Sequence, residues 1–84
     1  MDHMHELNMN EMEIVSGGSR KEIRSRKATV YGGPGKEFSV NGVLSAGTIV
    51  NFSGSVSYNE NDGHTWYLIN SPVYGWVMKS DLGL

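Results

Sequence analysis

Residues 61–69 read NDGHTWYLI, a tight-turn signal followed at once by a strongly β-prone run. Asp-Gly is a favoured dipeptide of hairpin turns, because glycine accepts a positive φ at low cost. The last five residues are β-branched, aromatic or aliphatic, which is typical of strands. Side chains alternate along a strand, so Tyr67 and Ile69 are expected on the inner face, with Trp66 and Leu68 on the other. This stretch predicts a turn and a half-buried strand.

Similar short runs lie on both sides of this stretch and are separated by glycine turns. No long helical period follows residue 18, and a sheet with this many short strands in so small a chain buries its apolar side chains best by curling. The sequence therefore predicts an all-β fold, a small and partly open barrel of about five strands. The runs are Ala28–Tyr31 before Gly32–Gly35, Val40–Leu44, Thr48–Phe52 with Val50 and Phe52 on one face, and Val73–Met78 after Ser71-Pro72.

Five pieces, in order, resemble the bacterial SH3 (SH3b) domains. This resemblance implies an SH3-like barrel over residues 28–84. Two features depart from the family: Tyr31 stands where a cationic residue is usual, and Ser53–Thr65 is longer and more polar than the usual connection. Both lie where a ligand surface is expected. The matching pieces are Val30–Gly35, Val40–Leu44 with Ala46-Gly47-Thr48, Trp66–Ile69, Tyr74–Val77 and Ser80–Leu82.

The first eighteen residues differ in charge from the rest of the chain. They hold four acids and no Lys or Arg, and four of their apolar residues fall within an arc of roughly 140° on a helix, one amphipathic stripe. Ser16-Gly17-Gly18 then ends the helical pattern, because paired glycines break helices and leave extended backbone. The stripe consists of Met4, Leu7, Met12 and Val15.

This segment resembles the double-glycine leaders of bacteriocins and related small secreted peptides, through Leu7, Glu11-Met12, Val15 and Gly17-Gly18. The resemblance implies that residues 1–18 are a leader, recognised by the peptidase domain of an ABC exporter and cleaved after Gly18. The alternative is an N-terminal tail in which Gly-Gly is a linker. A Sec signal peptide does not fit, because a basic n-region and a continuous apolar h-region are missing.

A basic segment, residues 19–27, separates the predicted leader from the predicted barrel. Three interpretations are open: a solvated linker, which we expect, an attraction to teichoic acid or anionic lipid, or an added strand through Glu22-Ile23-Arg24. From Ser19 onward, seven Lys and Arg against five acids give a net charge of +2, too little to predict nucleic-acid binding. The cations are Arg20, Lys21, Arg24, Arg26 and Lys27, opposed by Glu22.

Little in the sequence points to catalysis, a metal or a cofactor. The chain contains no cysteine, which excludes disulfides, thiolate ligands and a cysteine nucleophile. His64 and Asp62 are two positions apart in a predicted turn, where solvated turn chemistry is the usual role. Asn59–Gly63 lacks the spacing and closing Glu of a calcium loop, and His3-Met4-His5 supplies only two ligands. We predict a non-enzymatic protein without cofactor or metal, and no apolar run is long enough for a transmembrane helix.

Aromatic residues provide the best signal for binding. Phe52 and Tyr67 are predicted to be core residues by alternation, and Trp76 is assigned to packing rather than contact. The remaining rings are predicted to line an exposed aromatic groove, because a rigid ring offers a large contact area at low entropic cost. The predicted ligand-binding residues are Tyr31, Tyr58, Trp66 and Tyr74.

Together these features predict a secreted, non-catalytic module that binds bacterial cell wall, either the peptide or the glycan of peptidoglycan, and is exported by leader cleavage. A first alternative is a bacteriocin-like antimicrobial or signalling protein, which shares the export route. A second is an intracellular SH3-like adaptor for Pro-rich peptides, which would need an acidic loop beside the aromatics from Glu37, Glu60 and Asp62.

Overall fold

Residues 18–84, the part of the chain described by this computed structural model, form six antiparallel strands in one open, barrel-like sheet followed by one short helix. Across the sheet the strands lie in the order β1-β4-β5-β6-β2-β3. This part of the chain contains no helix with the length and hydrophobicity needed to cross a membrane. The elements are β1 (Arg20–Glu22), β2 (Lys27–Tyr31), β3 (Val40–Ser45), β4 (Ile49–Asn59), β5 (His64–Ser71), β6 (Gly75–Met78) and a 3-10 helix (Lys79–Leu82).

The predicted all-β, barrel-like fold is confirmed, with six strands where about five were expected. Its core occupies the inner face of the sheet, where alternate residues of each strand point inward. The rings of Phe52 and Tyr67 meet there, with centroids 5.7 Å apart, and the 3-10 helix adds Leu82. The remaining core residues are Ile23, Ala28, Val30, Leu44, Val50, Ile69 and Val77.

The additional strand, β1, lies in the segment that the sequence analysis assigned to a solvated linker, residues 19–27. Arg20 to Glu22 pair antiparallel with β4, and the next residue, Ile23, is only 1% exposed. The Ile23 N–H donates to the carbonyl of Thr48 at 2.8 Å, and its own carbonyl accepts from Gly47 N–H at 2.8 Å. The linker interpretation does not describe this segment: it contributes an edge strand and a core side chain.

The hairpin predicted around Asp-Gly joins β4 and β5. Asn59 pairs with His64, and Gly63 adopts a φ of 71° and donates its N–H to the Asn59 carbonyl at 2.8 Å. Most of the polar stretch from Ser53 to Thr65 is therefore strand rather than a long loop. The register of β4 shifts between Asn51 and Val56, around Gly54 with its φ of 106°, which is where a β-bulge is accommodated.

Candidate functional site

Four side chains form a continuous line across the outer face of the sheet. In the pairing register, Val40 on β3 is opposite Tyr31 on β2, Tyr31 is opposite Trp76 on β6, and Trp76 is opposite Leu68 on β5. Directly opposed residues share a face, and the sequence neighbours Val30, Val77 and Ile69 point into the core instead. We call Val40, Tyr31, Trp76 and Leu68 the aromatic row.

Exposure along the aromatic row decreases from the edge of the sheet towards its middle. Val40 on the edge strand is 57% exposed, Tyr31 and Trp76 are half-buried, and Leu68 is buried. Half-buried rings held at their base keep one surface available for contact at little entropic cost. The row therefore offers a shallow apolar surface that is open to solvent at the β3 side.

Trp66 is buried and packs against Tyr31 of this row, but it is not part of the exposed surface. It follows the same face of β5 as Leu68, and its ring meets the Tyr31 ring edge-on, with centroids 5.4 Å apart and planes at 89°. Its indole N–H donates to the Asp62 carboxylate, with Nε1 3.2 Å from Oδ2 and 3.4 Å from Oδ1. T-shaped packing and a satisfied indole N–H fix the tryptophan and, through it, Tyr31.

The prediction that Trp66 is an exposed ligand residue is wrong, because its side chain is 0% exposed. The loop after β2 is fastened to the β4–β5 turn at the place where the indole lies. Asn59 Nδ2 donates to the Pro34 carbonyl at 2.9 Å, and the backbone N–H of Lys36 donates to Asp62. A ligand has no access to a ring enclosed in this way.

Tyr58 lies on the opposite face of the sheet from Tyr31. It pairs with Thr65 across the hairpin, whereas its neighbour Ser57 pairs with Trp66, and successive residues of a strand point to opposite faces. Its side chain is 62% exposed, so it is accessible but separate from the aromatic row. The four predicted residues do not form one groove.

Tyr74 is also 62% exposed, and it immediately precedes β6. Its carbonyl accepts a hydrogen bond from Asn41 Nδ2 at 2.8 Å, which ties the residue to β3. The following Gly75 has a φ of 152°, and a Cβ there would lie 2.6 Å from the Tyr31 carbonyl oxygen. This close approach packs the backbone that follows Tyr74 against the backbone of Tyr31, so the two predicted residues are near one another at the level of the backbone.

Three members of the row, Val40, Trp76 and Leu68, were not among the predicted ligand-binding residues. For Trp76, the alternation in Gly75-Trp76-Val77 indicates the outward orientation that the sequence analysis did not use. With Gly75 and Val77 packed inward, Trp76 has to point outward, although the sequence analysis assigned it to packing. Val40 had no such signal, because its position depends on the irregular register between Val30 and Tyr31.

The pKa of the Asp62 carboxylate is lowered from its ordinary value. Partial removal from water raises the pKa of Asp62. Three hydrogen bonds and one electrostatic interaction outweigh this effect and lower the pKa. The hydrogen bonds come from the backbone N–H of His64, the indole N–H of Trp66 and the backbone N–H of Lys36, and the electrostatic interaction is with the His64 side chain. The carboxylate is thus committed to hydrogen bonds that hold the turn, the indole and the loop together.

In residues 18–84, no group of three or more His, Cys, Asp or Glu side chains comes together as a candidate metal site. The backbone N–H of His64 donates to Asp62 Oδ1 at 2.9 Å. The His64 ring lies edge-on to the Trp66 ring, with centroids 6.4 Å apart. This is the arrangement of an Asx-type turn, in which the side chain caps the backbone two residues on.

Most of the predicted leader residues, Leu7, Met12, Val15 and Gly17, lie outside the described residues. Gly18 is described: it is exposed, and its N–H donates to the Phe52 carbonyl at 3.1 Å. The Phe52 N–H donates in turn to the Ser19 carbonyl at 2.8 Å. The predicted cleavage site, the bond between Gly18 and Ser19, is therefore paired with β4.

Comparison of the chain with protein-family models, with curated proteins and with solved structures found no match.

Proposed function

We propose that this protein is a secreted, non-catalytic module that binds bacterial cell wall, the peptide or glycan of peptidoglycan, through the aromatic row. The observation that carries the proposal is the direct opposition of the half-buried Tyr31 and Trp76, with the buried Trp66 ring edge-on to Tyr31 and the buried Leu68 opposite Trp76. Rings that are held in place by buried neighbours stack on sugars and pack against peptide side chains, while their polar atoms still accept or donate hydrogen bonds.

The edge strand β3 adds a second element suited to a peptide. It pairs with β2 on one side and forms one end of the sheet, so its other side presents backbone N–H and C=O groups. An extended peptide can pair with such an edge and place alternate side chains on the neighbouring face. Val40 stands on β3 and at the open end of the aromatic row, so both kinds of contact are available to one ligand.

The resemblance to SH3b domains favours the cell wall as the place of action, and the resemblance of residues 1–18 to double-glycine leaders favours export with cleavage after Gly18. Under this proposal an ABC exporter with a peptidase domain processes the chain. The ligand surface is then Tyr31, Tyr74, Trp76 and Val40, with Trp66 as support and Tyr58 outside it.

Co-sedimentation of the full chain with insoluble peptidoglycan tests the proposal. We expect saturable retention that survives moderate salt, because an apolar contact surface is little screened by ions. Trp76→Leu keeps apolar bulk at this position but removes the ring, and we expect its affinity to fall by about 2 kcal/mol, roughly thirtyfold. Tyr58→Leu is the matched control: it removes an exposed ring from the other face and should bind normally.

Equal loss in both variants, or equal retention, would show that the aromatic row is not the contact surface. Failure of the unmodified chain to bind several wall types would remove the proposed function. In that case growth inhibition of neighbouring Gram-positive cells becomes the assay to run, because the bacteriocin-like alternative shares the export route and predicts that effect.

A further inference from the structure

A second surface, unrelated to the aromatic row, lies at the β1 edge of the sheet. An open cleft of about 480 Å³ is lined there by three cations, one acid and one apolar side chain. We call it the basic cleft; its lining residues are Arg20, Lys21, Glu22, Arg24 and Ile49.

The cations of the basic cleft project from a backbone that is held on both sides. Arg20 to Glu22 pair with β4, and the Arg24 N–H donates to the Asp81 carbonyl at 2.8 Å. Beyond it, Ser25 Oγ donates to Asp81 Oδ1 at 2.7 Å. Between these anchors Ile23 is in the core. A segment fixed in this way presents its charges without first having to be ordered, which lowers the entropic cost of binding.

Positive charge is concentrated in the segment of the chain that contains β1. Five of the seven Lys and Arg lie within residues 20–27 and are opposed there by Glu22, whereas residues 28–84 hold two cations against four acids. A surface with this asymmetry attracts anions to one side and repels them from the rest. The complementary ligand therefore carries several negative charges in a line that can follow β1.

The residue types that line the basic cleft favour one class of polyanionic ligand over another. Two of its three cations are arginines, whose planar guanidinium matches the oxygens of a phosphate in bidentate geometry. Its apolar lining is the aliphatic Ile49, and none of the lining residues is aromatic. Single-stranded nucleic acids are held largely by stacking of bases on aromatic rings, which this cleft does not offer.

We propose that the basic cleft binds a phosphodiester polymer without bases, a polyol phosphate chain, as a second ligand independent of the aromatic row. Phosphates along the chain contact Arg20, Lys21 and Arg24, and the polyol between them packs against Ile49. This goes beyond the proposed function, because it assigns a different surface and a different chemical class of ligand.

Fluorescence anisotropy with labelled poly(glycerol phosphate) and the full chain tests this inference. With about three phosphate contacts, affinity should fall roughly ten- to twentyfold between 50 and 200 mM salt. Arg20→Gln with Arg24→Gln should weaken binding about tenfold or more. Glutamine retains the first three side-chain carbons, so the stem of Arg24 that packs against Gly83 is preserved.

The matched control is Arg26→Gln with Lys27→Gln, which removes the same charge from the same segment but outside the basic cleft. Binding near the unmodified level in this control supports the site, whereas an equal loss in both double variants would overturn it in favour of net charge alone. Tighter binding to an oligo(dT) strand, or binding only to phosphatidylglycerol vesicles, would also overturn it, in favour of a nucleic acid or a lipid surface. Trp76→Leu should bind the polymer normally, which separates this test from that of the aromatic row.

Discussion

At the scale of single residues, Asp62 links its own turn and the start of β5 to the loop after β2, which is distant in the chain. Its carboxylate accepts from the backbone of its own turn, from the indole of Trp66 on β5 and from Lys36 in the loop after β2. Charge-assisted hydrogen bonds of this kind are roughly twice as strong as neutral ones. The enclosure of Trp66, and with it the position of Tyr31, therefore depends on the ionised form of one side chain.

Acid should weaken the protein through this carboxylate. The pKa of Asp62 is lowered in the folded state, so the stability that it contributes is fully present above its ordinary value of 3.8. As the pH falls below that value towards the folded pKa, the unfolded state binds the proton first, and this contribution is lost. We expect Asp62→Asn to flatten the decline of the free energy of unfolding between about pH 5 and pH 2, measured by urea denaturation.

Glu60→Gln is the control for this prediction, because Glu60 is an exposed acid in the same turn. The control should keep the full acid-induced decline of the unmodified chain. An unchanged pH profile in Asp62→Asn would show that the Asp62 hydrogen bonds do not set the acid sensitivity.

Trp66 marks the limit of sequence-based prediction at the residue scale. Alternation correctly places Tyr67 and Ile69 in the core and Trp66 on the other face. Whether that other face is covered depends on contacts of Pro34 and Lys36 with residues 59–62, and no local pattern encodes such distant contacts. Exposure was therefore inferred wrongly even though the face was inferred correctly.

At the scale of secondary-structure elements, the central strands were predictable, whereas the edge strand β1 was one of three open interpretations of its segment and not the expected one. Alternation of apolar residues identified the first part of β4 and β5, and β-prone runs bounded by turn residues identified β2 and β6. The β1 sequence, Arg-Lys-Glu, has no such alternation and forms a strand because β4 supplies the hydrogen-bonding partner. Its signal was the single apolar Ile23 within a charged run.

Ile23 should carry most of the contribution of this segment to stability. Its side chain is 1% exposed, so Ile23→Ala leaves a cavity in the core and should lower the free energy of unfolding by about 2–4 kcal/mol. Ile49→Ala makes the same chemical change at a β4 position that is 52% exposed, and we expect a loss of less than about 1 kcal/mol. Urea denaturation of the two variants measures the difference. Equal, small losses would mean that residues 20–24 do not belong to the folded domain.

At the scale of the whole molecule, the two proposed surfaces lie at the two ends of the strand order. The aromatic row begins on β3, and the basic cleft lies on β1. Within residues 18–84 each of these two strands pairs with a neighbour on one side only, and the other side can pair with a partner. The charge distribution of the sequence indicated the basic end, whereas the row emerged only from the cross-strand register, which short-range patterns do not specify.

The position of the predicted cleavage site in this sheet has a consequence for processing. A protease binds its substrate in extended form, but the bond between Gly18 and Ser19 is already paired with Phe52. Cleavage therefore requires β1 to separate from β4, or has to occur before the sheet forms. We expect the peptidase domain of a double-glycine exporter to cleave the folded chain much more slowly than the chain in urea at a concentration that the peptidase tolerates.

Ile23→Ala provides the sharper form of this experiment in buffer without urea. Loss of the Ile23 anchor increases the population in which β1 is detached, and cleavage that proceeds through this open form should accelerate in proportion. Val15→Asp places a charge in the apolar stripe of the predicted leader and should block cleavage in both backgrounds, which distinguishes leader recognition from general proteolysis. Mass spectrometry of the product identifies Ser19 as the new N-terminus. Equal cleavage rates for the unmodified chain and Ile23→Ala would show that strand pairing does not limit processing, and cleavage of Val15→Asp at the normal rate would remove the leader proposal itself.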